Sequence, residues 1–122
     1  MIPVTRPYLP PLDSYIKKLE CIWENGWVTN NGSLTKELTN SLNQHLNIPN
    51  IELVANGTLA LQLAIKALSL KGEVITTPFS FVATTSSLVW NGLKPIFADI
   101  DPLSFNMDAK NIEKLITENT SA

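Results

Sequence analysis

Several things are scarce in this 122-residue chain, and each scarcity removes a class of function. There is one cysteine, Cys21, so neither an internal disulfide nor a cysteine-rich zinc site can form. The one histidine, His45, lies on a polar helical segment with no partner for metal binding or catalysis, and reads as a surface residue. Charged residues make up only 16%, and nine basic against eleven acidic side chains give a net charge of −2. The clustered basic surface that non-specific nucleic-acid binding needs is therefore missing. No apolar run approaches the roughly 18 residues of a membrane span. The N-terminal MIPVTRPYLPPLD has no apolar signal-peptide core. Neither a Walker A loop nor a GxGxxG fingerprint occurs. The expectation is a soluble cytoplasmic protein with no metal site, nucleic-acid partner or membrane contact.

What is present is enough for one domain: 44% apolar residues, near the globular average. Pro3, Pro7, Pro10 and Pro11 make the start an extended arm, because proline fixes φ and removes a donor. Asp13 is placed to cap a first helix carrying Ile16, Leu19, Ile22 and Trp23, which Gly26 stops. Trp27 to Gly32 reads as a loop. Ser33 is placed to cap a second helix with Leu34, Leu38, Leu42 and Leu46 on one stripe.

From residue 51 the pattern changes, so residues 1–50 (arm and helices) and 51–122 (α/β) are treated as two segments. Strands are expected at 51–55, 73–77 and 95–100. Helices are expected at 59–69, at 81–91 and after Asp108, which is placed as a cap. Strand–helix alternation at this spacing implies α/β architecture: three parallel strands joined by crossover helices. The last helix runs out near Ile116, before a further strand is delivered. The pattern fits either the front of a larger sheet or a compact three-stranded domain.

Three groups of residues could carry chemistry. Asn56-Gly57-Thr58 joins a strand to a helix. Glycine permits close backbone approach, the helix start offers unpaired N–H groups and a positive dipole end, and Thr58 adds a hydroxyl: a setting for phosphate, or an ordinary turn. Phe79 and Phe81 follow the second strand, at the carboxyl edge where ligands of parallel sheets bind; either could stack on a flat ring or lie in the core. Asp99 and Asp101 close the third strand, where turn chemistry explains them better than a metal.

Read together, four ordered blocks resemble the N-terminal third of the DegT/StrS family of sugar aminotransferases. They are Gly26–Gly32 (GWVTNNG), Val54–Leu61 (VANGTLAL), Gly72–Thr84 (GEVITTPFSFVAT) and Pro95–Pro102 (PIFADIDP). The resemblance implies the aspartate-aminotransferase fold, pyridoxal 5'-phosphate (PLP) as cofactor, a nucleotide-linked keto-deoxy sugar as substrate, an amino-acid donor and a homodimer. It implies that Gly57, Thr58 and the Leu59 amide hold the cofactor phosphate, and that Phe81 stacks on its ring. Asn30, Asn31 and Gly32 match a segment near the substrate. Asn56 and Leu59 stand where the family pattern usually has Ser and Ala.

The resemblance also implies what these residues do not supply. The family's Schiff-base lysine and the acid that pairs with the pyridinium nitrogen match nothing here, so no catalytic residue is expected within residues 1–122. The sheet is expected to be incomplete, with strand 51–55 either exposing edges that associate or lying beside strand 73–77. The leading reading is part of a PLP-dependent sugar aminotransferase for amino-sugar biosynthesis, inactive by itself. The rivals are a non-catalytic remnant and a small α/β phosphate- or nucleotide-binding module.

Overall fold

A computed structural model describes residue 2 and residues 4–122. The chain divides into two compact units, Met1–Leu53 and Val54–Ala122. Of the proline arm, Pro3 lies outside the described residues. Pro7, Pro10 and Pro11 lie in a stretch without helix or strand, as ring-locked φ requires.

The first unit is a helix pair, α1 (Leu12–Asn25) and α2 (Ser33–Leu46). Helix α1 starts two residues earlier than an Asp13 cap would place it. Pro11 occupies the N-cap without a side-chain bond, and Asp13 falls inside the first turn, where its carboxylate faces the positive dipole end. Gly26 closes α1 in the left-handed region at φ 64°, its N–H donating to the Ile22 carbonyl. Gly32, not Ser33, is the N-cap of α2; Ser33 is the first helical residue, and its hydroxyl accepts from Asn25 Nδ2 at 3.4 Å. Neither helix contains a buried residue. Trp23, expected on the inward stripe, is 79% exposed, and Cys21 is exposed. Lys18 pairs with Glu37, and Lys36 Nζ sits 5.0 Å from the centre of the Trp27 ring.

The second unit contains α3 (Gly57–Ala67), β1 (Glu73–Thr76), α4 (Ala83–Trp90), β2 (Lys94–Phe97) and α5 (Ala109–Glu113). Strands β1 and β2 run parallel with Glu73 opposite Lys94 and Thr76 opposite Phe97. Helix α3 packs on α4, and α4 covers the strands. The core is small: Ile65, Val74, Leu88 and Leu93, with Leu70 against them. Along β1 the side chains alternate, Val74 and Thr76 buried, Glu73 and Ile75 half-buried, as the period of two requires.

The expected strand at 51–55 is not formed: the sheet has two named strands, not three. Beside β1, where the sequence allowed it to lie, both edges are taken. One edge pairs with β2, and the other takes the residues after α5. Glu73 N–H donates to Asn119 O at 2.9 Å, Ser121 N–H to Glu73 O at 2.8 Å, and Ile75 N–H to Ala122 O at 2.9 Å. Residues 119–122 thus run along that edge, and the place beside β1 that 51–55 could have taken is filled. Gly72 makes this possible. Its φ is +77°, and a Cβ there would lie 2.6 Å from the Asn119 carbonyl oxygen. Asp108 does cap α5, its Oδ1 accepting from Lys110 N–H at 2.9 Å, but the helix ends at Glu113, before Ile116.

Candidate functional site

The start of α3 is built by its own sequence. Asn56 is extended (φ −163°), and its carboxamide oxygen accepts from the Leu59 N–H at 3.0 Å, the ordinary work of an N-cap. The Asn56 carbonyl accepts from the Ala60 N–H. Among the described residues, the N–H groups of Gly57 and Thr58 have no hydrogen-bond acceptor. They are the donors that a helix start leaves unpaired, at the positive end of its dipole. A Cβ added at Gly57 would meet nothing within 4 Å, so the backbone there is open to a ligand.

That helix start opens on a shallow cleft of about 780 Å³. Asn56, Gly57 and Thr58 line one side, Phe81 and Thr84 the other, and Ala60, Leu61, Ala64 and Ala83 supply apolar wall. Phe81 precedes α4, which starts at Ala83 rather than at Phe81, so the ring is free of the helix and 79% exposed. Ser80 and Thr84 share a hydroxyl–hydroxyl hydrogen bond of 3.0 Å across the turn that carries Phe81.

The structure therefore brings Gly57, Thr58 and Phe81 together and treats Leu59 differently. Leu59 does not line the cleft, and its amide is already spent on Asn56. Phe79 also turns elsewhere, stacking on Phe105 with ring centres 5.9 Å apart. Phe105 is a left-handed residue (φ 58°) in a loop folded over Asp101. The N–H groups of Ser104 and Leu103 donate to the Asp101 carboxylate and hold its pKa below the usual carboxylate range. The Asp99/Asp101 pair is thus turn chemistry. Among the described residues no cluster of His, Cys, Asp and Glu could hold a metal ion, and no helix is long and apolar enough to cross a membrane.

Asn30, Asn31 and Gly32 belong to the first unit. Asn30 and Asn31 line a groove of about 630 Å³ with Thr35, Lys36, Thr39 and Glu52. Gly32 is buried and borders a different groove, beside Trp27 and Leu34. The loop is shaped by Asn31 at φ 57° and by Trp27, whose indole N–H donates to the Asn30 carbonyl at 3.2 Å. Lys36, which the sequence does not single out, lies four residues after Gly32 on α2, and Asn56, named there only as part of the turn, is the N-cap.

Known proteins resemble this chain in sequence and fold. Residues 13–122 match the model of the DegT/DnrJ/EryC1/StrS aminotransferase family. The chain is 50% identical over 121 residues to a dTDP-4-amino-4,6-dideoxy-D-glucose transaminase of Escherichia coli, covering 99% of this chain and 33% of that protein. Among solved structures, DesI in the presence of its TDP-sugar product superposes with a TM-score of 0.86 at 33% identity, covering 96% of this chain and 30% of that one. Spr1654 of Streptococcus pneumoniae in its PLP form gives a TM-score of 0.86 at 30% identity, covering 98% and 30%. The chain thus spans about a third of the length of the relatives it matches. With the family model covering all but its first dozen residues, this chain belongs to the DegT/DnrJ/EryC1/StrS aminotransferase family.

Proposed function

We propose that this chain supplies the phosphate seat and one ring-covering face of a PLP site in an enzyme that transfers an amino group to a nucleotide-linked keto-deoxy sugar. One observation carries the reading: the unpaired amides of Gly57 and Thr58 face the same cleft as the exposed ring of Phe81. The donor set suits the group. Two N–H groups and a hydroxyl at a positive helix end bind a phosphate ester, and a free aromatic face suits a flat heterocycle. When bound, PLP supplies an electron sink for the carbon next to the transferred nitrogen.

The residues present do the rest of their share by binding and orienting. Gly57 and Thr58 fix the phosphate end, and Phe81 sets the tilt of the ring and keeps water off one face. No lysine is among the residues that line the cleft, so the part proposed for them is to seat the cofactor, not to form a covalent link to it there. The groove at Asn30 and Asn31 offers amide and hydroxyl partners for sugar hydroxyls, and the dTDP- and TDP-sugar relatives support a nucleotide-linked substrate. An amino-acid donor, a homodimer and a cytoplasmic setting complete the proposal.

The test is a titration of this chain with pyridoxine 5'-phosphate, which cannot react with lysines, against unphosphorylated pyridoxine. Binding of the phosphorylated form only is expected. It should weaken about tenfold in Thr58→Val, the loss of a hydrogen bond to a charged group, and several-fold in Phe81→Ala. Equal binding of both compounds would remove the phosphate seat. Preference for a plain nucleoside diphosphate in this cleft would replace the reading with a small nucleotide-binding module.

A further inference from the structure

The Leu59 amide is where the structure and the family pattern part. The pattern assigns that amide to the cofactor phosphate, yet here it donates to the Asn56 carboxamide oxygen at 3.0 Å. An N–H makes one well-aligned hydrogen bond at a time, so an anion that wants this donor must displace the side chain that already holds it. Asn56 lines the cleft beside Gly57 and Thr58, so the displaced group would be crowded against the incoming phosphate. Gly57 and Thr58 carry no such competitor.

We propose that Asn56 sets the affinity of the phosphate seat by competing with the anion for the Leu59 amide, leaving a resting seat built from Gly57 and Thr58. This rests on the PLP-site reading above and goes beyond it by assigning a role to a residue that need not touch the cofactor. Asn56 is a tuning residue in this account. It keeps α3 capped while the site is empty and makes phosphate release easier than a seat with three free amides would.

The experiment follows backbone amide shifts of the 122-residue chain during titration with inorganic phosphate and with pyridoxine 5'-phosphate. In the wild type, the Gly57 and Thr58 signals are expected to move and the Leu59 signal to stay nearly still. Asn56→Gly removes the competitor at little cost to the helix, because glycine is itself an accepted N-cap. Its Leu59 signal should join the other two, and binding should tighten about fivefold, the equivalent of roughly 1 kcal/mol for one cap bond. Asn56→Asp keeps the cap but puts a negative charge beside the anion, and binding should fall more than tenfold. Circular dichroism of both variants checks that α3 remains folded. Weaker or unchanged binding in Asn56→Gly, or a Leu59 signal that moves with the others in the wild type, would overturn the competition while leaving the phosphate seat standing. Still Gly57 and Thr58 signals in every variant would overturn the seat itself and this inference with it.

Discussion

The two compact units are held by different physics. In Val54–Ala122 a small apolar cluster sits under α4 and β1, and Leu88 and Leu93 are each only 5% exposed. In Met1–Leu53 no described hydrophobic residue is buried; half-buried Leu19, Ile22, Leu34 and Leu42 are accompanied by a Lys–Glu pair, a cation over an indole and hydrogen bonds around Trp27. Burial of apolar surface is the large term in folding, and exposed polar pairs are worth little. The second unit should therefore carry nearly all the stability of this chain, and the first should open locally at low cost.

The sharpest way to break that comparison is a core truncation. Leu88→Ala should cost about 2–4 kcal/mol, the range for a buried leucine whose cavity relaxes only partly. Ile22→Ala on the half-buried face of α1 should cost less than about 1 kcal/mol, because much of that side chain already meets water. Urea unfolding of both variants measures the difference, and equal losses would show that the first unit has a core of its own.

Next in size is Gly72→Ala, which tests the pairing of residues 119–122 with β1. The alanine Cβ would strike the Asn119 carbonyl at 2.6 Å from a left-handed backbone. A loss of about 1–3 kcal/mol is expected. Amide exchange at Ser121, whose N–H is bonded to Glu73, should rise with it.

A third effect depends on pH. Glu73 accepts from Lys94 Nζ on β2 and from the Thr117 hydroxyl, each at 2.8 Å, and these bonds, the lysine foremost, hold its pKa below the ordinary carboxylate value. A depressed folded-state pKa means stability that is complete above the unfolded value of about 4.3 and is lost as pH falls through the folded one. Asp101, depressed by its loop amides, acts with the same sign. Acid titration of the second unit's amide signals should show both edges of β1 loosening together, and Glu73→Gln should flatten that acid limb.

Much of this was legible in the sequence, and the part that was not has a common cause. Periodicity and punctuation located α1 through α4, the Gly26 stop and the Asp108 cap, because these are local signals carried by a few neighbouring residues. A strand edge and a helix start put Gly57, Thr58, Phe79 and Phe81 on one side of a parallel sheet, and the family resemblance singled out Phe81 of the two aromatics. The strand at 51–55 failed because pairing is not local: Ile-Glu-Leu-Val-Ala has the composition of a strand, but β1's free edge goes to residues 119–122. The fate of the Leu59 amide was hidden for a related reason. The resemblance assigned that donor to the phosphate, and only the folded helix start shows Asn56 taking it as a cap.

The smallest expected effect is also the most direct probe of the first unit. Lys18 on α1 pairs with Glu37 on α2, with both side chains more than half exposed. Water screens such a pair, and fixing two long side chains costs entropy, so Lys18→Ala should cost only about 0.2–1 kcal/mol. In the second unit a change of that size would vanish into a cooperative transition. In a helix pair without buried apolar residues it is a sizeable share of what joins α1 to α2. Amide exchange in both helices should therefore speed up severalfold while the second unit's exchange stays the same, and raising the salt should reproduce the effect in the wild type. If Lys18→Ala changed neither helix, the ion pair would be incidental and the Trp27 loop, anchored by Asn25 and Asn30, would be what keeps the two helices together.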